Sequence, residues 1–130
     1  MKKSALNTIF LSLFIFISGN LYPQEETLFF DAAGSPSNPK VQVSWNKYYT
    51  YAGVTDFCKK LAAAYPDLVS LSSAGKSYQG RDIHVLTITD KKSGNPEYKP
   101  GFWIDGNIHS TELQGTEMAM YTAWYLCEMS

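Results

Sequence analysis

His109-Ser110-Thr111-Glu112 is the group of residues in this chain best suited to chemistry. A neutral imidazole and a carboxylate three residues apart can reach one metal ion from a single turn of backbone. Zinc accepts that mixture of nitrogen and oxygen ligands, and a catalytic zinc site uses three protein ligands plus a water. The pattern points to metal-assisted hydrolysis, with zinc as cofactor and His109 and Glu112 as two of its ligands. No histidine follows His109, so neither a third ligand nor a general base can be assigned in this chain. Taken alone, H-x-x-E is a weak signal. The plain alternative is an exposed His and Glu at a helix start, where Glu112 merely favours the helix dipole. Of the flanking polar residues, Asp105 reads as a solvated strand-end acid rather than a partner that orients a ligand. His84 sits mid-strand between Ile83 and Val85 and reads as a core or sheet-face histidine rather than a ligand.

The motif needs elements to hold it. Thr55 can cap a helix running from Asp56 to Tyr65, with Phe57, Leu61 and Ala64 or Tyr65 on one face. Pro66 makes continuation unfavourable. Leu68 to Ser73 reads as a strand, and Ser77-Tyr78-Gln79-Gly80 as a turn. Asp82 to Asp90 is a stronger strand, rich in β-branched residues and apolar on both faces, as a centrally placed strand would be. Lys91 to Pro100 is a polar loop. Phe102-Trp103-Ile104 begins a short buried strand that ends near Asp105, just before the metal motif. A helix is expected from about Glu112 to Met129, with Met118, Thr122, Tyr125 and Met129 on one side. The order helix, strand, strand, strand, helix predicts an α/β layered domain with the motif at a strand end, where ligand sites in open sheets tend to lie.

These residues resemble a known family. Gly106-Asn107-Ile108-His109-Ser110-Thr111-Glu112 looks like the first zinc-binding segment of the zinc carboxypeptidases, the family that includes the pancreatic carboxypeptidases. Tyr65-Pro66-Asp67-Leu68-Val69, followed by Gly75-Lys76-Ser77-Tyr78-Gln79-Gly80-Arg81-Asp82-Ile83, is similar to the family's helix, Y-P, strand, G-x-S-x-x-G-R and strand. The resemblance runs from about Trp45 to Met129. It implies a three-layer α/β/α sandwich with a mixed sheet, of which only the N-terminal portion is present. It also implies zinc held by His109 and Glu112, and peptide or protein C-termini as substrate. In family chains a second histidine ligand, the arginine that grips the substrate carboxylate and the glutamate that activates water all come later. Glu117 and Glu128 match no such motif. Thr111 stands where many digestive members have Arg and many regulatory members have Asn, which bears on substrate preference and not on metal binding. Arg81 matches the family's G-R pair, and its plain reading is a salt bridge or a turn contact.

The leading expectation is the N-terminal part of an exported zinc metallocarboxypeptidase, inactive by itself. Two alternatives stand beside it. One is a zinc hydrolase of the same fold acting on cell-wall peptides or N-acyl amino acids. The other is a secreted binding domain without activity. Three regions are expected: a signal peptide over 1–23, a leader over 24–44, and the truncated catalytic part over 45–130. Lys2 and Lys3 precede the apolar run Ile9 to Ile17, which fits a secretory signal cleaved between Ser18 and Gln24. The run is short for a membrane span, and an uncleaved anchor is the alternative. So little chain separates the signal from the motif-bearing region that the large inhibitory prosegment of the digestive enzymes has no room. The end at Cys127-Glu128-Met129-Ser130, inside a helix, suggests a partial record. With 11 basic and 12 acidic residues the chain has no basic stripe for nucleic acid. Cys58 and Cys127 read as buried free thiols rather than a disulfide.

Overall fold

A computed structural model describes residues 29–130. The signal-peptide reading therefore lies outside the described residues. Among the described residues, two helices and one hairpin make up the regular structure. Helix α1 spans Tyr51–Ala64, strand β1 Val69–Lys76, strand β2 Asp82–Ile88 and helix α2 Leu113–Glu128. A 3-10 turn at Pro96–Tyr98 lies in the loop before α2.

Helix α1 starts earlier than Thr55. Thr50, in extended conformation, accepts from the Gly53 amide through its side chain and is the true N-cap. Such a cap contributes about 1 kcal/mol. Thr55 lies inside the helix, and its hydroxyl donates to the Tyr51 carbonyl one turn back at 2.8 Å. The C-terminal end behaves as Pro66 requires. The Tyr65 amide closes the last turn on Leu61, and the Leu68 and Val69 amides both reach the Tyr65 carbonyl.

The two strands run antiparallel, with Val69 opposite Ile88 and Ser73 opposite His84. The register shifts between Ser73 and Lys76, where Gly75 takes φ of +135°. The turn expected at Ser77–Gly80 forms: the Gly80 amide donates to Ser77 and the Ser77 amide to Arg81, each at 2.8 Å. Strand β2 pairs with β1 alone among the described residues, so the second neighbour that a centrally placed strand would have is not among them. Ile83 is half exposed, while Leu86 and Ile88 pack on the core.

The third strand does not form. Phe102, Trp103 and Ile104 are non-regular and exposed, Phe102 to 90%. An extended segment becomes a strand only through a ladder partner, and β2 is occupied by β1 on one side without reaching this segment on the other. The last helix falls within a residue or so of the expected span. Met118, Tyr125 and Met129 lie on its exposed side, and Met120, Trp124 and Cys127 carry its buried side.

The core lies where α1, α2 and β1 meet the segment before α1. Leu61 and Cys127 are fully buried, and Trp124 is 1% exposed. Val41 and Val43 join them. The Trp124 indole N–H donates to the Val41 carbonyl at 2.7 Å, satisfying a polar group that burial would otherwise penalise by about 1–3 kcal/mol. Trp45 packs edge-on to Tyr121 at 5.2 Å and tilted on Trp124 at 5.4 Å. Glu128 accepts from the Lys40 and Val41 amides, each at 2.9 Å. Cys58 and Cys127 are both buried and unpaired, as expected.

Candidate metal-binding turn

The approach to the motif is fixed by two glycines. Gly106 presses its backbone onto Gly115 in the first turn of α2, and a Cβ at Gly106 would overlap the Gly115 carbonyl. Any side chain here would drive the loop off the helix. Asn107 follows with φ of 61°, a left-handed conformation that asparagine tolerates better than most residues. This turns the chain so that Ile108 and His109 leave in a new direction.

His109 to Glu112 then forms a single turn. The Glu112 amide donates to the His109 carbonyl at 2.9 Å, and the Gly115 amide to the Glu112 carbonyl at 2.9 Å. Glu112 is the N-cap of α2 and makes no capping bond with its side chain. The carboxylate instead turns back to His109. Its Oε1 lies 2.9 Å from the imidazole Nδ1, and its Oε2 accepts from the His109 amide at 3.3 Å. Both side chains are open to solvent, at 76% and 51% exposure.

The donor pair can be tested against a metal. Two ligands at about 2.1 Å from a tetrahedral ion lie about 3.4 Å apart. The observed 2.9 Å is a hydrogen-bonded separation, about half an ångström from that of a ligand pair. A small side-chain rotation spans the difference, and neither group would need to leave burial. The pair fits zinc in donor chemistry and in spacing. Among the described residues no group of three or more His, Cys, Asp or Glu gathers around one point, so the fit is to part of a site.

The neighbouring polar residues divide. Asp105 is exposed. His84 is held in the sheet face: its Nε2 lies 2.9 Å from the Thr55 hydroxyl. That hydroxyl already spends its proton on Tyr51. Nε2 must therefore carry the hydrogen, a tautomer inferred from the network. The imidazole also stacks on Tyr51 at 5.6 Å and 13°. It is satisfied as a structural residue, in keeping with expectation. Arg81 makes the turn contact through its backbone. Its guanidinium forms no ion pair among the described residues, and lies over the Tyr51 ring at 5.2 Å.

Glu117, one turn along α2 from the motif, has a role the sequence did not reveal. Its Oε1 accepts from the Tyr49 amide at 2.9 Å, joining α2 to the start of α1. Its Oε2 and the Asn107 Oδ1 are buried with no hydrogen-bond partner among the described residues. Glu117 and Tyr49 lie 68 positions apart, and no local pattern reports a contact of that kind.

The motif, its glycine-braced turn and the hairpin before it coincide with a known family. The chain belongs to the zinc carboxypeptidases, whose family model matches residues 54–130. It is 29% identical to carboxypeptidase D of Mus musculus over 96 residues, 73% of this chain and 7% of that protein. It is 30% identical to carboxypeptidase Z of Rattus norvegicus over 80 residues, 62% of this chain and 12% of that protein. With carboxypeptidase A1 of Bos taurus the identity is 36% over 89 residues, 68% of this chain and 20% of the relative. The chain spans about a fifth or less of the length of these relatives. Two helices and a small antiparallel sheet are compatible with part of an α/β carboxypeptidase domain.

Proposed function

We propose that this chain is the N-terminal part of the catalytic domain of an exported zinc metallocarboxypeptidase, and that it supplies His109 and Glu112 as two zinc ligands. The observation that carries the reading is the His109–Glu112 pair, 2.9 Å apart on one braced turn, in a chain that matches the family over 54–130. The proposed domain is a three-layer α/β/α sandwich with a mixed sheet over 45–130 and beyond, preceded by a signal peptide over 1–23 and a leader over 24–44, whose final residues Val41 and Val43 pack into the domain core. Its substrates are peptide or protein C-termini. Among the described residues no helix is long and apolar enough to cross a membrane.

When bound, zinc polarises the scissile carbonyl and lowers the pKa of its water toward about 7. The chain's own residues do the holding. His109 offers a ring nitrogen and Glu112 a carboxylate oxygen, the mixed donor set that zinc accepts. Gly106 and Gly115 fix the turn, so that both ligands arrive with little conformational freedom left to lose. The general base and the group that binds the substrate carboxylate belong to polypeptide beyond these residues. The 130-residue chain by itself is therefore expected to bind zinc weakly and to leave peptides intact.

The test is zinc content and peptide hydrolysis in the full-length gene product. His109→Ala and Glu112→Ala should each remove bound zinc and abolish release of C-terminal residues. Normal zinc content in either variant would overturn the ligand assignment. Thr111, exposed between the two proposed ligands, supports keeping one further substrate reading: a zinc hydrolase of this fold acting on cell-wall peptides or N-acyl amino acids. Comparing C-terminal peptides with muropeptides and N-acyl amino acids separates the two.

A further inference from the structure

We infer that the cleft between the Ser77–Arg81 turn and Tyr51 is a second binding site, which takes an acidic segment of a polypeptide through Arg81. None of its lining residues belongs to the metal motif, so the inference goes beyond the zinc reading and does not require it.

The cleft is shallow, about 500 Å3, and is lined by Tyr51, Tyr78, Gln79, Arg81, Asp82 and Ile83 among others. Its wall is rigid. Three bonds close the turn: Ser77 amide to Arg81 carbonyl, Gly80 amide to Ser77 carbonyl, and Arg81 amide to Ser77 Oγ at 3.2 Å. Gly80 has φ of +74°, a conformation that other side chains would strain. Tyr51 is equally fixed, stacked on His84 and donating its hydroxyl to the Asp82 carbonyl at 3.2 Å.

The Arg81 guanidinium carbon lies over the Tyr51 ring, 5.2 Å from its centroid. Its N–H groups make no ion pair among the described residues, and the guanidinium remains a planar donor. The adjacent acid does not pair with it. Asp82 is engaged by Lys76 at 2.7 Å and by the Ser73 hydroxyl at 3.0 Å. Among the described residues the cleft therefore holds one positive charge without an ion-pair partner, on a planar two-pronged donor that matches a carboxylate. Among the described residues a phosphate dianion would meet a single free cation there, which matches the charge of one carboxylate better than a double charge. Around the cation the surface suits a peptide. Tyr78 is fully exposed and Ile83 half exposed, offering apolar faces to side chains. The Gln79 amide can both donate and accept along a backbone.

The test uses the full chain with a chelator present, so that zinc is not a variable. The probes are a fluorescein-labelled glutamate-containing peptide ending in an amide, and the same peptide with glutamine in place of glutamate. The terminal amide removes any C-terminal carboxylate, so binding here is independent of carboxypeptidase action. By fluorescence anisotropy the glutamate peptide should bind about two- to fivefold more tightly. Arg81→Gln should erase the difference. Tyr78→Ala, at a side chain with no packing to lose, should weaken both peptides and keeps the test valid if the Arg81 variant does not fold. Equal binding of the two peptides, or a preference that survives Arg81→Gln, would refute the site. Displacement of the peptide by inorganic phosphate more readily than by acetate at equal ionic strength would also overturn it, as a general oxyanion site.

Discussion

A methyl group on Gly106 would land on the Gly115 carbonyl, and one on Gly115 would sit 2.7 Å from the Asn107 nitrogen. Both obstacles are backbone, which cannot swing aside as a side chain would. Gly106→Ala should therefore lower the urea midpoint of the chain, at a cost of about 1–3 kcal/mol, the range for overpacking. An unchanged midpoint would mean that loop and helix are not in contact. The residue scale also shows what a sequence can reveal about a site. His109 and Glu112 were legible because both lie in one turn, where spacing alone dictates proximity. The Gly106–Gly115 contact was not legible, because a glycine carries no pattern that names its neighbour. The pairing of Glu117 with the Tyr49 amide was hidden for the same reason.

At the scale of elements, α1 and α2 each place one cysteine in the shared core. Burial pushes the Cys58 thiol up to about 11, and the Cys127 thiol likewise to about 11, with the nearby Glu128 charge adding to the second. Against an ordinary thiol value of 9.0, this leaves about a hundredfold less thiolate at neutral pH. Iodoacetamide should thus spare both residues in the native chain at pH 7.5 and label both in urea. Rapid labelling of either without denaturant would contradict the packing of these helices. The sequence located both helices through apolar spacing, since Phe57, Leu61 and Tyr65 do line the buried face. It misplaced the start of α1. Gly53 and the neighbouring tyrosines look unlike a first helical turn, yet Thr50 supplies the cap five residues before Thr55. The residues at 102–104 have the composition of a buried strand, but a strand also requires a partner, and composition cannot provide one.

On the scale of the whole molecule, the chain presents apolar surface that its core does not cover. Phe102 is 90% exposed, Trp103 73%, Ile104 46% and Ile108 79%, all within one short stretch beside the metal-binding turn. Contiguous apolar surface of this kind normally marks an interface. Under the proposed three-layer architecture, further strands would be laid here. The isolated chain should enhance the fluorescence of the dye ANS and self-associate at micromolar concentration. A monomer that leaves the dye dark would show that the stretch is covered in solution. The core itself draws on distant parts of the chain. Trp124 reaches back 83 positions to Val41, and Glu128 reaches 88 to Lys40. Loop closure across such separations precedes any gain from the contacts they bring. During synthesis, Lys40 and Val41 leave the ribosome long before Trp124 and Glu128 are made. Throughout that interval Val41, Val43 and the buried face of α1 lack the helix that seals them, which makes the nascent chain a natural client for a chaperone until α2 emerges.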